Sequence, residues 1–118
     1  NKASVLNSNK AYLESIILNL ITNSLKFKSE NRALEINITA SKIGNITTIL
    51  FSDNGIGIDL KRNRNKVFGL YQRFHNHSDS RGLGLYLVKS QVETMGGTIE
   101  IESEVNKGTT FTLTFKKE

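Results

Sequence analysis

A two-layer α/β sandwich, with helices on one face of a mixed, mainly antiparallel sheet, is the fold predicted by this 118-residue sequence. Three observations predict it. A long amphipathic helix opens the chain; two stretches of period-two alternation fold back as hairpins; and a second amphipathic helix separates them behind a long glycine-rich segment. A hydrophobic fraction of 37%, with 8% aromatic residues, supports one modest core, so residues 1–118 read as a single domain.

Ala3 to Leu6 reads as a short opening strand. A helix then runs from a cap at Ser8 or Asn9 to about Lys28, because Leu13, Ile16, Ile17, Leu20, Ser24 and Phe27 recur at helical spacing. Leu34, Ile36, Ile38 and Ala40 alternate against Glu35, Asn37 and Thr39 as a half-buried strand, and Gly44-Asn45 turns it into a second strand, Ile46 to Ser52. From Asp53 to about Gly82 glycine, asparagine and basic residues dominate. Lys61 to Lys66 reads as loop, and the aromatic patch Phe68, Tyr71 and Phe74 as a short helix. Gly82-Leu83-Gly84 leads into a helix with Leu85, Val88, Val92 and Met95 on one face, stopped by Gly96-Gly97. Ile99 and Ile101, then Phe111, Leu113 and Phe115, alternate on two strands joined around Asn106-Lys107-Gly108.

The composition narrows the function classes. The chain has no cysteine, which excludes disulfides and cysteine zinc sites, and its two histidines make a poor metal cluster. No apolar run approaches the roughly 18 residues of a membrane span, and the first residues lack the pattern of a signal peptide. A cytoplasmic setting without direct membrane contact is the expectation. The net charge of +5 and pI near 9.6 favour an anionic partner without choosing among nucleotide, nucleic acid and acidic protein. A nucleic-acid binder would interleave aromatic and basic residues on an exposed sheet, whereas Phe111 and Phe115 alternate like core residues, so no nucleic acid is expected.

Four segments carry chemistry. On the first helix Asn19, Asn23 and Lys26 stand at i, i+4 and i+7, on one stripe. Alone this is the polar face of an amphipathic helix, but asparagine is a weaker helix former than Glu, Gln or Lys, and its neutral amide oxygen suits Mg²⁺. Asp53-Asn-Gly55-Ile-Gly57-Ile58 follows a strand. Its glycines allow close backbone approach, and a carboxylate at the strand end accepts a hydrogen bond from an amino edge such as adenine's. Gly82-Leu83-Gly84-Leu85 opens a helix whose free N–H groups suit phosphates, and Gly108-Thr109-Thr110-Phe111 alone reads as a turn into a strand. His75 and His77 lie in the polar segment with no acidic residue directly after either, and read as solvated loop histidines.

In this order and spacing the segments resemble the ATP-binding catalytic domain of sensor histidine kinases. That domain has the Bergerat fold of the GHKL superfamily, shared with type II topoisomerases, heat-shock chaperones and mismatch-repair ATPases. Asn19 to Phe27 is similar to the N box, Asp53 to Ile58 to the first glycine box, and Phe68 to His75 to the F box. Ser80-Arg81-Gly82-Leu83-Gly84-Leu85 and Gly108 to Phe111 are similar to the later glycine boxes. The resemblance implies ATP and Mg²⁺ as cofactors. It implies that Asn23 ligates Mg²⁺ with Asn19 assisting, that Lys26 contacts a phosphate, and that Asp53 binds the adenine amino group, partly through a water shared with Thr109. Gly55, Gly57 and Ile58 would line the adenine slot, with Phe27 and Phe68 also in the ATP site. Arg73, Arg81 and the backbone of Gly82, Leu83, Gly84 and Leu85 would meet the phosphates.

Two positions depart from the pattern: Ser80 replaces a glycine, and Gly69 an acidic residue. Hydrolysing relatives usually carry a glutamate four residues before the metal asparagine; Asn19 stands there and cannot act as a general base near neutral pH. A kinase is therefore expected rather than an ATPase, with a nucleotide-binding signalling module without activity as the rival. The phosphoacceptor histidine and its base would lie on a dimerisation domain of the same protein, absent from this chain. A response-regulator receiver domain would act downstream, and the isolated domain would be monomeric.

Overall fold

A computed structural model describes residues 2–64, 67–68 and 83–116. Helix α1 spans Lys2–Lys26, followed by strands β1, Ile36–Ile43, and β2, Ile46–Asp53. A single helical turn α2, Leu60–Asn63, precedes helix α3, Leu83–Thr94, and the hairpin of β3, Gly97–Glu104, and β4, Gly108–Lys116. The described strands form a sheet of order β1-β2-β4-β3 in which each neighbouring pair is antiparallel, with the helices on one face. The two-layer sandwich expected from the alternation is present.

The expected strand at Ala3 to Leu6 is instead helix, and neither Ser8 nor Asn9 is a cap. The chain holds no glycine or proline before Gly44, so nothing interrupts the helical repeat that runs from Leu6 through Leu13 and Leu20 to Phe27. The polar run Asn7-Ser8-Asn9 costs some helix propensity without ending the helix. α1 stops two residues short of Lys28: Phe27 N–H still donates to Asn23 O at 3.1 Å, but Phe27 O accepts from Ile56 N–H at 2.9 Å. The helix surrenders a carbonyl to another element and ends there.

The core lies between the helices and the inner faces of β2, β4 and β3. Ile16 and Leu20 of α1 and Leu85, Val88 and Val92 of α3 meet Ile49, Phe51, Ile101, Phe111 and Leu113. Phe51 pairs across the sheet with Phe111, and both rings are fully buried. β1 was expected to be half-buried, yet Ile38 is 47% and Ile43 79% exposed, because β1 is an edge strand beyond the reach of the helices. Alternation reported its strand character but not its position in the sheet.

Lys61 to Lys66 is not wholly loop. Asp59 caps α2, its side chain accepting from Lys61 N–H at 3.1 Å, and Val67 N–H bonds Asn63 O just beyond it, dropping Val67 into the core. Phe68 meets Phe111 edge-on at 6.4 Å with Lys89 Nζ 5.6 Å from its ring centre. Tyr71 and Phe74 lie outside the described residues. α3 ends as expected, with Gly96 at φ 79°.

Phe51→Ala should lower the free energy of unfolding by about 3–5 kcal/mol, the usual cost of an emptied phenylalanine site in a closed core. Urea denaturation checks this, and a loss below about 1 kcal/mol would show that the sheet does not depend on this ring.

Candidate functional site

Three elements converge at the end of β2: the last turns of α1, the glycine loop after Asp53, and the β3–β4 turn. Asp53 continues the inward-facing register of Ile49 and Phe51, but sits beyond the apolar core at the sheet end. Its carboxylate is held at both oxygens. Ser24 Oγ donates to Oδ2 at 2.7 Å, and Gly55 N–H donates to Oδ1 at 2.9 Å. Each carboxylate oxygen retains a further lone pair, so the group stays an acceptor with a set orientation. It lines a cavity of about 350 Å³ with Ser103, Gly108 and Thr109.

Thr109 lies directly across from Asp53 and is 6% exposed. Its Oγ1 is 2.7 Å from Ser103 Oγ, which accepts from Ile58 N–H at 2.8 Å and donates to Gly108 O at 2.8 Å. A hydroxyl has one hydrogen, and Ser103 gives its own to Gly108. Thr109 therefore donates to Ser103, and it lines the same cavity as Asp53.

The glycine loop is tied down on every side. Asn54 Oδ1 accepts from Glu35 N–H at 2.8 Å and its Nδ2 donates to Ala33 O at 2.9 Å. Arg32 donates to Asn54 O at 2.7 Å, Gly55 O at 2.8 Å and Asn106 O at 2.9 Å, clasping the loop to the β3–β4 turn. Asn106 N–H in turn donates to Ile56 O at 2.7 Å. Gly57, at φ 76°, would place a Cβ 2.0 Å from Glu104 O, and Gly108 would place one 2.0 Å from Asp53 O. At these two positions glycine is required by backbone packing against backbone, whatever a ligand adds.

Asn19 and Asn23 lie half-buried one turn apart on α1, at the shoulder of the buried Leu20–Ser24–Phe27 face, and Lys26 is exposed at the helix end. Lys26 borders a second cavity of about 370 Å³ with Ser29, Ile56 and Asn106. Gly55, Gly57 and Ile58 are buried in the loop. Phe68 and Leu85 pack with the core, and Phe68 lines a separate cavity of about 350 Å³ with Arg64 and Ile99. Leu83 and Gly84 form the first residues of α3, whose initial N–H groups have no partner within the helix. Arg73, Arg81, Gly82, His75, His77, Gly69 and Ser80 lie outside the described residues.

Ser24, Arg32 and Ser103 were not singled out by the motifs. A polar residue at an apolar register position signalled two of them, since Ser24 follows Leu20 by one turn and Ser103 continues the inward series Ile99, Ile101. Arg32 carried no such signal, being one basic residue in a polar connection.

Comparison with known proteins bears on the family and the fold. Residues 8–118 match the family described as histidine kinase-, DNA gyrase B-, and HSP90-like ATPase. The chain is 36% identical over 112 residues to the heme sensor protein HssS of Staphylococcus saprophyticus, covering 95% of this chain and 24% of that protein. The mycobacterial sensor histidine kinase MprB superposes with a TM-score of 0.75 at 21% identity, over 90% of this chain and 72% of that one, a likeness of fold. Full-length ShkA in complex with AMPPNP gives 0.72 at 28% identity, over 88% of this chain and 21% of that one. The chain thus spans about a quarter of the length of HssS.

Removing the clasp should loosen the whole site. Arg32→Ala is expected to lower stability to urea by about 1–3 kcal/mol, since three carbonyls lose a charged donor together. An unchanged midpoint would show that the loop holds its place without the guanidinium.

Proposed function

Because the chain belongs to the family of histidine kinase-, DNA gyrase B-, and HSP90-like ATPases, we propose that it is the Mg·ATP-binding catalytic domain of a sensor histidine kinase, presenting the γ-phosphate to a histidine on a separate dimerisation domain. The observation that carries this reading is the Asp53 carboxylate, fixed by Ser24 and Gly55 as an acceptor at the wall of a cavity. An acceptor so held takes a hydrogen from the adenine amino group and leaves a guanine carbonyl unpaired. Thr109, which lines the same cavity, is assigned to accept from a water beside Asp53. Gly55, Gly57 and Ile58 are assigned to the loop side of the adenine, next to this cavity rather than in its lining.

The donor set on α1 fits a magnesium ion held jointly with the nucleotide. Among the described residues no group of three or more acidic, histidine or cysteine side chains could hold a metal. The amide oxygens of Asn23 and Asn19 are hard neutral ligands that suit an ion completing its shell with phosphate and water. When bound, magnesium would neutralise charge developing on the phosphates. Lys26 adds a cation at the helix end, and the first N–H groups of α3, which have no partner within the helix, are assigned with Arg73 and Arg81 to the remaining phosphate contacts. Phosphoryl transfer asks little covalent chemistry of the protein, so positioning and charge neutralisation are the domain's whole task.

Asn19 favours a kinase over an ATPase, because an amide does not take a proton from water near neutral pH. The acceptor histidine and its acidic neighbour then belong to the dimerisation domain, and a response-regulator receiver domain takes the phosphoryl group onward. No helix among the described residues is long and apolar enough to cross a membrane. The domain is placed on the cytoplasmic side, where ATP is available.

Asp53→Asn should weaken ATP binding by about tenfold or more in a calorimetric titration, as expected for the loss of a charge-assisted hydrogen bond. Unchanged affinity would remove Asp53 from adenine recognition. Incubated with radiolabelled Mg·ATP, the chain alone should stay unlabelled and release phosphate only very slowly. Stable label on His75 or His77 would relocate the acceptor, and brisk magnesium-dependent phosphate release would favour an ATPase.

A further inference from the structure

The geometry points to Ser24 as the positioning residue that enforces selection of the adenine amino group, by holding Asp53 in the orientation from which it accepts that group's hydrogen. This rests on the adenine reading of Asp53 and concerns what enforces it. Ser24 is 1% exposed on the apolar face of α1, between Leu20 and Phe27. A hydroxyl within a helix commonly turns back to the carbonyl four residues earlier, as Thr22 does to Leu18 O at 2.9 Å. Ser24 instead reaches across 29 residues of sequence to Asp53 Oδ2 at 2.7 Å. The core does not demand this hydroxyl, since alanine would fill the position with a better helix former.

Asp53 has one donor on each oxygen, Gly55 N–H on Oδ1 and Ser24 on Oδ2. The last torsion of an aspartate is broad and roughly two-fold, so one donor alone leaves the carboxylate free to rock about the other. Two donors from different elements fix its plane. Ser24 touches no nucleotide in this scheme and acts through Asp53.

The test compares ATP with purine riboside triphosphate, which carries hydrogen in place of the amino group. The intact chain should prefer ATP, and Asp53→Asn should erase that preference. Ser24→Ala should reduce it by roughly three- to tenfold, through weaker ATP binding and with the purine riboside affinity unchanged. Ser24→Cys, of similar size with a weak donor, should fall between. Equal weakening of both nucleotides, or of neither, in Ser24→Ala would assign Ser24 a merely structural role and overturn the inference. If Asp53→Asn kept the preference, the adenine reading itself would fall, and this inference with it. Loss of preference in Asp53→Asn but not in Ser24→Ala would overturn the role of Ser24 alone.

Discussion

The site depends on one relay of backbone hydrogen bonds. Phe27 O, released at the end of α1, takes Ile56 N–H, and Ile56 O takes Asn106 N–H. Through these two bonds the helix fixes the height of the glycine loop, and the loop fixes the β3–β4 turn. The close approach they require explains Gly57 and Gly108, and the polar groups it buries explain the Arg32 clasp and the Ser103 hydroxyl. Asp53 and Thr109 then face one another because both flank this relay at the end of the same strand pair.

This arrangement separates rigid recognition from adjustable charge. The groups assigned to adenine sit on strands and on a loop held by several backbone hydrogen bonds, which suits a plane and an edge that must be read by shape. The side chains assigned to metal and phosphate have no tether of this kind among the described residues: two half-buried asparagines and an exposed lysine on α1. On the proposed function, contacts free to follow a phosphate chain would suit its presentation to another domain. On the proposed reading, the role of Asn19 turns on a single property, that an amide does not accept a proton from water near neutral pH.

Much of the fold was legible because it depends on periodicity. The burial of Ile16, Leu20, Phe51, Val88, Val92 and Leu113 follows from spacing alone. The opening of α1 was misread because Asn7-Ser8-Asn9 has the composition of a cap, while the helical repeat through Leu6 and Leu13 runs straight across it. The exposure of β1 was not legible, because alternation reports a strand's two faces and not whether a helix covers one. At the site, Asp53 and the glycines stood out by residue type. Arg32 did not, since its three acceptors are carbonyls that any sequence would supply.

The contacts that close the site are distant along the chain; Arg32 and Asn106 are 74 residues apart. Such pairings form late, after the entropy of closing the intervening segment has been overcome. Asp53 closes the β1–β2 hairpin, but its opposite wall, Thr109, belongs to β4 and reaches it only when β4 pairs with β2. The cavity beside Asp53 is thus a product of long-range pairing, present only once the β3–β4 hairpin has docked onto β2.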